Sequence, residues 1–267
     1  MRDLAFTIVY GSGRASRKYR KMAKILETGV KTFSPDTEFR VFSGDDIEDR
    51  PFVKLKDKFR GKLDICRKCN DPDTRYIYMD SDTFVFCDLQ PMFDIIEEGT
   101  ITLIWKKSPG GKWAGREDLD FPLGCKRAGI EGEIQAYNLN GGFMMWHGGT
   151  DVFERALYLF DNYDIPDWKG TYDDEYYICA AIQLSGVKVR DIEDYEANEM
   201  RPYWLGNVSV KDGMLFSDAF DVQGRIQHYG TQKWKSEPVQ TVARSILRNH
   251  YRPANFWERM LAAINRY

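Results

Sequence analysis

Short apolar or β-branched runs alternate with helical stripes from residue 4 to residue 190, and this alternation limits the chain to a layered α/β arrangement. Leu4-Ala5-Phe6-Thr7-Ile8-Val9-Tyr10 reads as the first strand, followed by Gly11-Ser12-Gly13. From Arg14 to Lys31, Tyr19, Met22, Ala23, Leu26 and Val30 recur at helical spacing. Glu38 to Phe42 reads as a second strand, and Phe52, Leu55, Phe59, Leu63 and Cys66 form one helical stripe. Arg75 to Met79 predicts a strand running into Asp80, Asp88 to Glu98 a helix, and Ile101 to Trp105 a strand. Ser108 to Glu133, rich in glycine and charge, reads as a long irregular stretch of the kind that carries function. A strand at Gly142 to Trp146, helices at Asp151 to Phe160 and Asp173 to Leu184, and a strand at Val187 to Arg190 continue the alternation. Parallel pairing with crossover helices follows, and ligands in such sheets bind beyond the carboxyl ends of the strands. Motifs at strand ends therefore count most.

The 267 residues would fit one large domain or two small ones, and the lack of repeats or low-complexity linkers favours one. The expected division is residues 1–238 as the domain and 239–267 as a basic helical tail. A formal net charge of -3 argues against a surface dominated by nucleic-acid binding. The longest uncharged run, Ile134 to Thr150, is broken by Gln135, Asn138, Asn140 and glycines, so no segment reads as a membrane span. The start is too short and too β-branched for a signal peptide, and five cysteines make an odd count, so reduced thiols in a cytoplasm are expected. Cys66 and Cys69 form a CxxC with no second pair to complete a zinc site, which reads as helix packing. The tail sets Arg244, Arg248, Arg252, Arg259 and Arg266 against Glu258, with Tyr251, Phe256 and Trp257 interleaved. It could lie on an anionic membrane, or dock as a terminal helix with a solvated basic face. Arg14, Arg17, Lys18, Arg20, Lys21 and Lys24 form a second basic cluster, expected to be a solvated helix face.

Asp-x-Asp occurs at Asp71/Asp73, Asp80/Asp82 and Asp118/Asp120. Only Asp80-Ser81-Asp82 ends an apolar strand, where residues i and i+2 project to one side and two carboxylates can converge on one cation. Hard oxygen ligands suit Mg²⁺ or Mn²⁺. Asn138-Leu139-Asn140-Gly141-Gly142 could be a plain turn before a strand, and Thr171-Tyr172-Asp173-Asp174-Glu175 could be no more than a helix cap. Ile226-Gln227-His228-Tyr229-Gly230-Thr231-Gln232-Lys233-Trp234 puts a histidine at a strand end, then a glycine and a cation. Trp113, Trp168, Trp204 and Trp234 are candidate stacking surfaces for sugars, or amphipathic core edges.

In order, these segments resemble the metal-dependent GT-A glycosyltransferases, and most closely the retaining group with glycogenin and the lipopolysaccharide galactosyl- and glucosyltransferases, over roughly Leu4 to Trp234. The resemblance implies a single Rossmann-type α/β domain with a mostly parallel sheet, and a sugar moved from a nucleotide sugar, UDP-linked by preference, to a glycan, lipid or protein acceptor. It implies a nucleotide held near Thr7, Tyr10 and Gly11, and Mn²⁺ or Mg²⁺ on Asp80, Asp82 and His228, with Asp80 and Ser81 also near the nucleotide sugar. Asn140, Gly141 and Gly142 would face the sugar, Asp173 and Asp174 would be the acidic pair at a helix start, and Gly230 and Lys233 would touch the diphosphate. The histidine motif is one residue shorter than usual and lacks a proline. Where many retaining members carry Asp-Gln, this chain has Asp173-Asp174-Glu175, which leaves an inverting mechanism with a general base open.

Three other readings stand beside this one. Asp80-Ser81-Asp82-Thr83 also resembles the first motif of haloacid-dehalogenase-like phosphatases, with Asp80 as nucleophile, but no later acidic motif ends an apolar strand. A nucleotidyltransferase would share sheet and metal, and a glycan- or membrane-binding module could keep the fold with a degenerate site. A dinucleotide fingerprint fails, because Ser16 stands where its third glycine belongs.

Overall fold

The computed structural model describes residues 1–10, 13–43, 46, 55–107, 112–113, 116–163, 173–192, 200–202, 206–220 and 223–249. Strand β1 (Arg2–Ile8) leads through α1 (Gly13–Phe33) to β2 (Glu38–Phe42), and α2 (Leu55–Lys68) to β3 (Thr74–Met79). Then come β4 (Thr83–Val85), the short α3 (Gln90–Asp94), β5 (Thr100–Lys107), a hairpin of β6 (Lys112–Trp113) and β7 (Arg116–Asp120), α4 (Phe121–Arg127) and β8 (Tyr137–His147). Helices α5 (Val152–Asn162) and α6 (Asp173–Ser185) precede β9 (Lys188–Asp191), β10 (Met200–Pro202), β11 (Val208–Lys211), β12 (Met214–Ser217), β13 (Ile226–His228) and α7 (Glu237–Asn249).

The central sheet has six strands in the order β2-β1-β3-β8-β5-β9. It is α/β and mostly parallel, as the alternation implies, except that β8 runs antiparallel to both β3 and β5. Pairing at β8 departs from the parallel crossover pattern because the chain does not return there by one crossover helix. After β5 it passes through the β6–β7 hairpin and α4, so part of the stretch expected to be irregular is ordered, and it re-enters at the end of the sheet where β5 left it. The middle of β8 thereby abuts the carboxyl end of β3, with Met79 opposite Phe143. The helix expected over Asp88 to Glu98 shrinks to α3: the Asp88 carboxylate accepts the Gln90 amide, and Gly99, at φ 68°, turns the chain into β5.

Alternation within the strands divides the core. Leu4, Phe6 and Ile8 of β1 face α2, α5 and α6, where Phe6 meets Phe42 and Trp146 edge-on at 5.4 and 5.8 Å. Ala5, Ile77, Met79 and Met145 face Leu26 and Val30 of α1 on the other side. A third cluster joins Met22 and Ile25 of α1 to Val239, Val242, Ala243 and Ile246 of α7, so the first part of the tail is a docked helix. Residues 250–267, with the remaining tail arginines and aromatics, lie outside the described residues. No helix among the described residues is long and apolar enough to cross a membrane. All five cysteines are free and buried, Cys66 and Cys69 included.

Candidate functional site

Three local devices meet at the carboxyl end of β3. The first is the exit from β3 itself: the Asp80 amide donates to the Gly142 carbonyl at 2.8 Å, and Ser81 and Asp82 turn into β4. The second is β13, antiparallel to β4 with His228 opposite Thr83, which brings the histidine beside Asp82. The Tyr229 amide donates to the Asp82 carbonyl at 3.0 Å, and the Thr231 hydroxyl to the Asp82 carboxylate at 2.8 Å across 149 residues of sequence. Gly230, at φ 72° in the left-handed region, makes that turn feasible.

The third device is a bulge in β8. Leu103 of β5 pairs with Met144 while Ile104 pairs with Asn140, so Gly141, Gly142 and Phe143 have no partners on that side. Asn140 to Gly142 is therefore not the turn before a strand but a kink inside a longer one. The Asn140 side chain accepts the Gly142 amide at 2.9 Å. A Cβ on Gly142 would stand 2.3 Å from Cε1 of His228, so only glycine lets the imidazole lie against the bulge.

The result is a polar cluster in which Asp82 and His228 are buried and Asp80 is partly exposed. His228 Nε2 is 3.3 Å from Asp82 Oδ1 and 3.8 Å from Asp80 Oδ2, and one ligand atom from each residue lies within 4.8 Å of the others. Octahedral Mn²⁺ or Mg²⁺ places cis ligands about 3 Å apart and trans ligands about 4 Å apart, so two carboxylates and an imidazole at these spacings suit such an ion. Burial works against the charge on Asp82, but His228 and the Thr231 hydroxyl outweigh it and hold the carboxyl down to about 2. Burial likewise opposes the imidazolium of His228, yet Asp82 and Asp80 push its pKa up. Among the described residues this is the one such group of metal-binding side chains.

Next to it lies a lysine that sequence reading passed over. Lys62 of α2 is buried, with Nζ 2.7 Å from Asp174 and 3.8 Å from Asp80. Burial alone would lower its pKa, but Asp174, Asp80 and Tyr10 reverse that and raise it well above the usual value. The signal was present: Lys62 falls three residues after Phe59 and four before Cys66, on an apolar stripe where a lone charge is out of place. Asp174 and Glu175 enter from the start of α6, and the Gly141 amide donates to Glu175 Oε1 at 2.8 Å. Burial and then Asp174 push the Glu175 carboxyl up to about 8. Tyr78 donates to Asp80, with Tyr10 OH 3.2 Å from Tyr78 OH.

Other expectations fall at varying distances from this centre. Thr7 is fully buried in β1 with its hydroxyl unbonded. Tyr10 packs edge-on against Tyr19, with Lys58 Nζ 4.9 Å from its ring centre. Gly11 lies outside the described residues, and Asp173 opens α6. Lys233 donates to the Gly206 carbonyl at 3.3 Å. Lys18, expected on a solvated face, instead donates to the Thr231 carbonyl at 3.0 Å, and its pKa is lowered by burial even though Asp82 favours its charge. Trp234 is buried and stacked on Tyr229 at 6.2 Å, which makes it core and not a sugar platform. Trp168 and Trp204 lie outside the described residues.

The fold of this chain is similar to those of several solved glycosyltransferases. It is similar to the galactosyltransferase LgtC solved with donor and acceptor sugar analogues, at 13% identity and a TM-score of 0.51, over 92% of this chain and 94% of that one. An active-site variant of LgtC gives 15% identity and the same TM-score. The glycosyltransferase GlyE of Streptococcus pneumoniae TIGR4 gives 11% and 0.50, over 92% of this chain but 62% of that one. No protein-family signature and no curated protein sequence matches the chain.

Proposed function

We propose that the protein is a metal-assisted glycosyltransferase that moves a hexose from a nucleotide sugar, UDP-linked in our reading, to a glycan, lipid or protein acceptor. The observation that carries this is the convergence of Asp80, Asp82 and His228 at the carboxyl end of β3, where open α/β sheets bind their ligands. In this reading residues 1–238 are the transferase body.

Breaking the bond between sugar and phosphate builds negative charge on the departing nucleoside diphosphate. Mn²⁺ or Mg²⁺ held by Asp80, Asp82 and His228 would supply a positive charge for it. Thr7, Tyr10, Gly11 and Ser81 are assigned to the nucleotide side, and Gly230 and Lys233 to the diphosphate. Lys18, beside Thr231, adds a cation on the same edge. Asn140, Gly141, Gly142, Asp173 and Asp174 are assigned to the sugar, where an unmatched hydroxyl is rejected more strongly than a missing methylene. Lys62 pairs with buried Asp174 at 2.7 Å and stands 3.8 Å from the partly exposed Asp80. For a membrane-borne acceptor, exposed Arg17, Arg20 and Lys21 of α1 and Arg244 and Arg248 of α7 supply positive charge.

The test is nucleotide release from UDP-, GDP- and ADP-sugars, with Mn²⁺ and with chelator, beside a generic phosphatase substrate. Metal-dependent release of a nucleoside diphosphate from one donor is expected. Pyrophosphate from a nucleoside triphosphate would favour a nucleotidyltransferase, and inorganic phosphate from the generic substrate alone would make Asp80 a nucleophile.

A further inference from the structure

Three acidic side chains crowd one lysine on the sugar side of the bulge. Lys62 Nζ is in contact with Asp174 at 2.7 Å and within 3.8 Å of Asp80. Glu175, next in the chain to Asp174, has no ion pair among the described residues, and it accepts the Gly141 amide. The bulge is pressed against this group: a Cβ on Gly141 would lie 3.0 Å from Lys62 Nζ, 3.2 Å from Glu175 Cγ and 3.4 Å from Asp174 Oδ2. Gly142, the next residue, is the one against which His228 packs. Whatever holds Gly141 in place therefore also sets the wall behind the proposed metal ligands.

We propose that Glu175 works as an uncharged carboxylic acid, a positioning residue that pins the Gly141–Gly142 bulge, and that losing its proton loosens the bulge and shuts down transfer. The inference rests on the transferase reading only for its activity readout. The charges facing Glu175 are Asp174 on its own helix, Lys62 on α2 and Asp80 at the end of β3, with the neutral Cys179 thiol one turn further along α6. One lysine cannot neutralise three carboxylates, and Asp174 and Asp80 already share it. The group without a cation of its own is the one for which a proton is least costly. Burial and Asp174 hold its pKa up at about 8, so the acid form prevails at neutral pH. The Gly141 amide by itself favours the ionised form, but burial and Asp174 outweigh it: an acid keeps an acceptor oxygen for that amide, whereas ionisation sets a third negative charge against Asp174 and drives the side chain off the bulge.

The test compares the wild type, Glu175→Gln and Glu175→Ala. Infrared spectra against pH should show a carboxylic-acid carbonyl band at pH 7 that converts to carboxylate with a midpoint near pH 8 and is missing from Glu175→Gln. Metal-dependent nucleotide release by the wild type should fall about tenfold per pH unit above that midpoint. Glu175→Gln, an isosteric neutral amide, should keep the neutral-pH rate within about threefold and lose the alkaline fall, whereas Glu175→Ala should lose about tenfold or more at every pH. An ionised Glu175 at pH 7 in the spectra, or a Gln variant as impaired as the Ala variant, overturns the proposal. Should no nucleotide sugar turn over at all, the transferase reading fails, while the spectra still decide the state of Glu175.

Discussion

At the entrance to β3, Asp71 accepts the Asp73 amide at 3.0 Å and the pair closes a turn at the surface. At its exit, Asp80 and Asp82 lean toward one imidazole, Asp82 buried beneath Tyr229 and Thr231. The two ends share an Asp-x-Asp spelling and one strand, yet only the exit faces β13 and the β8 bulge. A third copy ends at Asp120, which caps α4 through the Leu123 amide at 2.9 Å. The spelling alone is neutral. The end of the sheet on which it falls decides whether it turns the chain, caps a helix or gathers a polar site.

The largest effect that would sharpen this contrast is at Asp82. Asp82→Asn should cut Mn²⁺-dependent nucleotide release on the order of a thousandfold, several kcal/mol of charge stabilisation. Asp73→Asn, assayed beside it, should stay within about twofold, as surface substitutions do. Equal losses at the two ends would break the comparison. Gly142→Ala should follow, since its methyl would meet His228 at 2.3 Å. We expect a loss of about 1–3 kcal/mol in stability by thermal unfolding and a weaker response to Mn²⁺.

Smaller in size but specific in sign is the pH dependence with chelator present. Asp82, held down to about 2, stabilises the fold fully above the usual carboxylate value near 4 and loses that contribution as pH falls toward 2. His228, raised, contributes fully below about 6.5 and loses its contribution as pH climbs through its folded value. Glu175, held up at about 8, is protonated in the fold while an unfolded chain has released the proton, so stability declines from near pH 4 toward pH 8. The melting temperature should therefore peak between about pH 4 and 6.5, and Asp82→Asn should flatten the acid flank. A peak above pH 8 would contradict the charge assignments. The smallest effect is at the third copy: Asp120→Ala should cost about 1 kcal/mol of cap with nucleotide release unchanged.

Much of this molecule is legible in its sequence. Apolar periodicity placed β1, α1, β2, β3 and α5 within a few residues, because burial on one stripe or both faces of a sheet leaves a local imprint. Asp80, Asp82 and His228 were legible as strand-end polar residues. The direction of β8 was not, because it depends on how the chain returns from α4 and not on which residues the strand contains. Neither was the bulge: Asn-Gly-Gly spells a turn as readily as a kink, and the choice was made by neighbours on β3, β5 and β13.

The sequence by itself determined the α/β class, the apolar faces and which side chains stand at strand ends, since each follows from spacing within a few turns or pleats. Only the tertiary structure decided that Lys62 serves Asp174 and Asp80, that Lys18 turns in toward Thr231, that Trp234 is core, and that Glu175 has no ion pair among the described residues. Those outcomes turn on which charges are brought within a few ångströms of one another in a dry interior, and no sequence distance encodes that proximity.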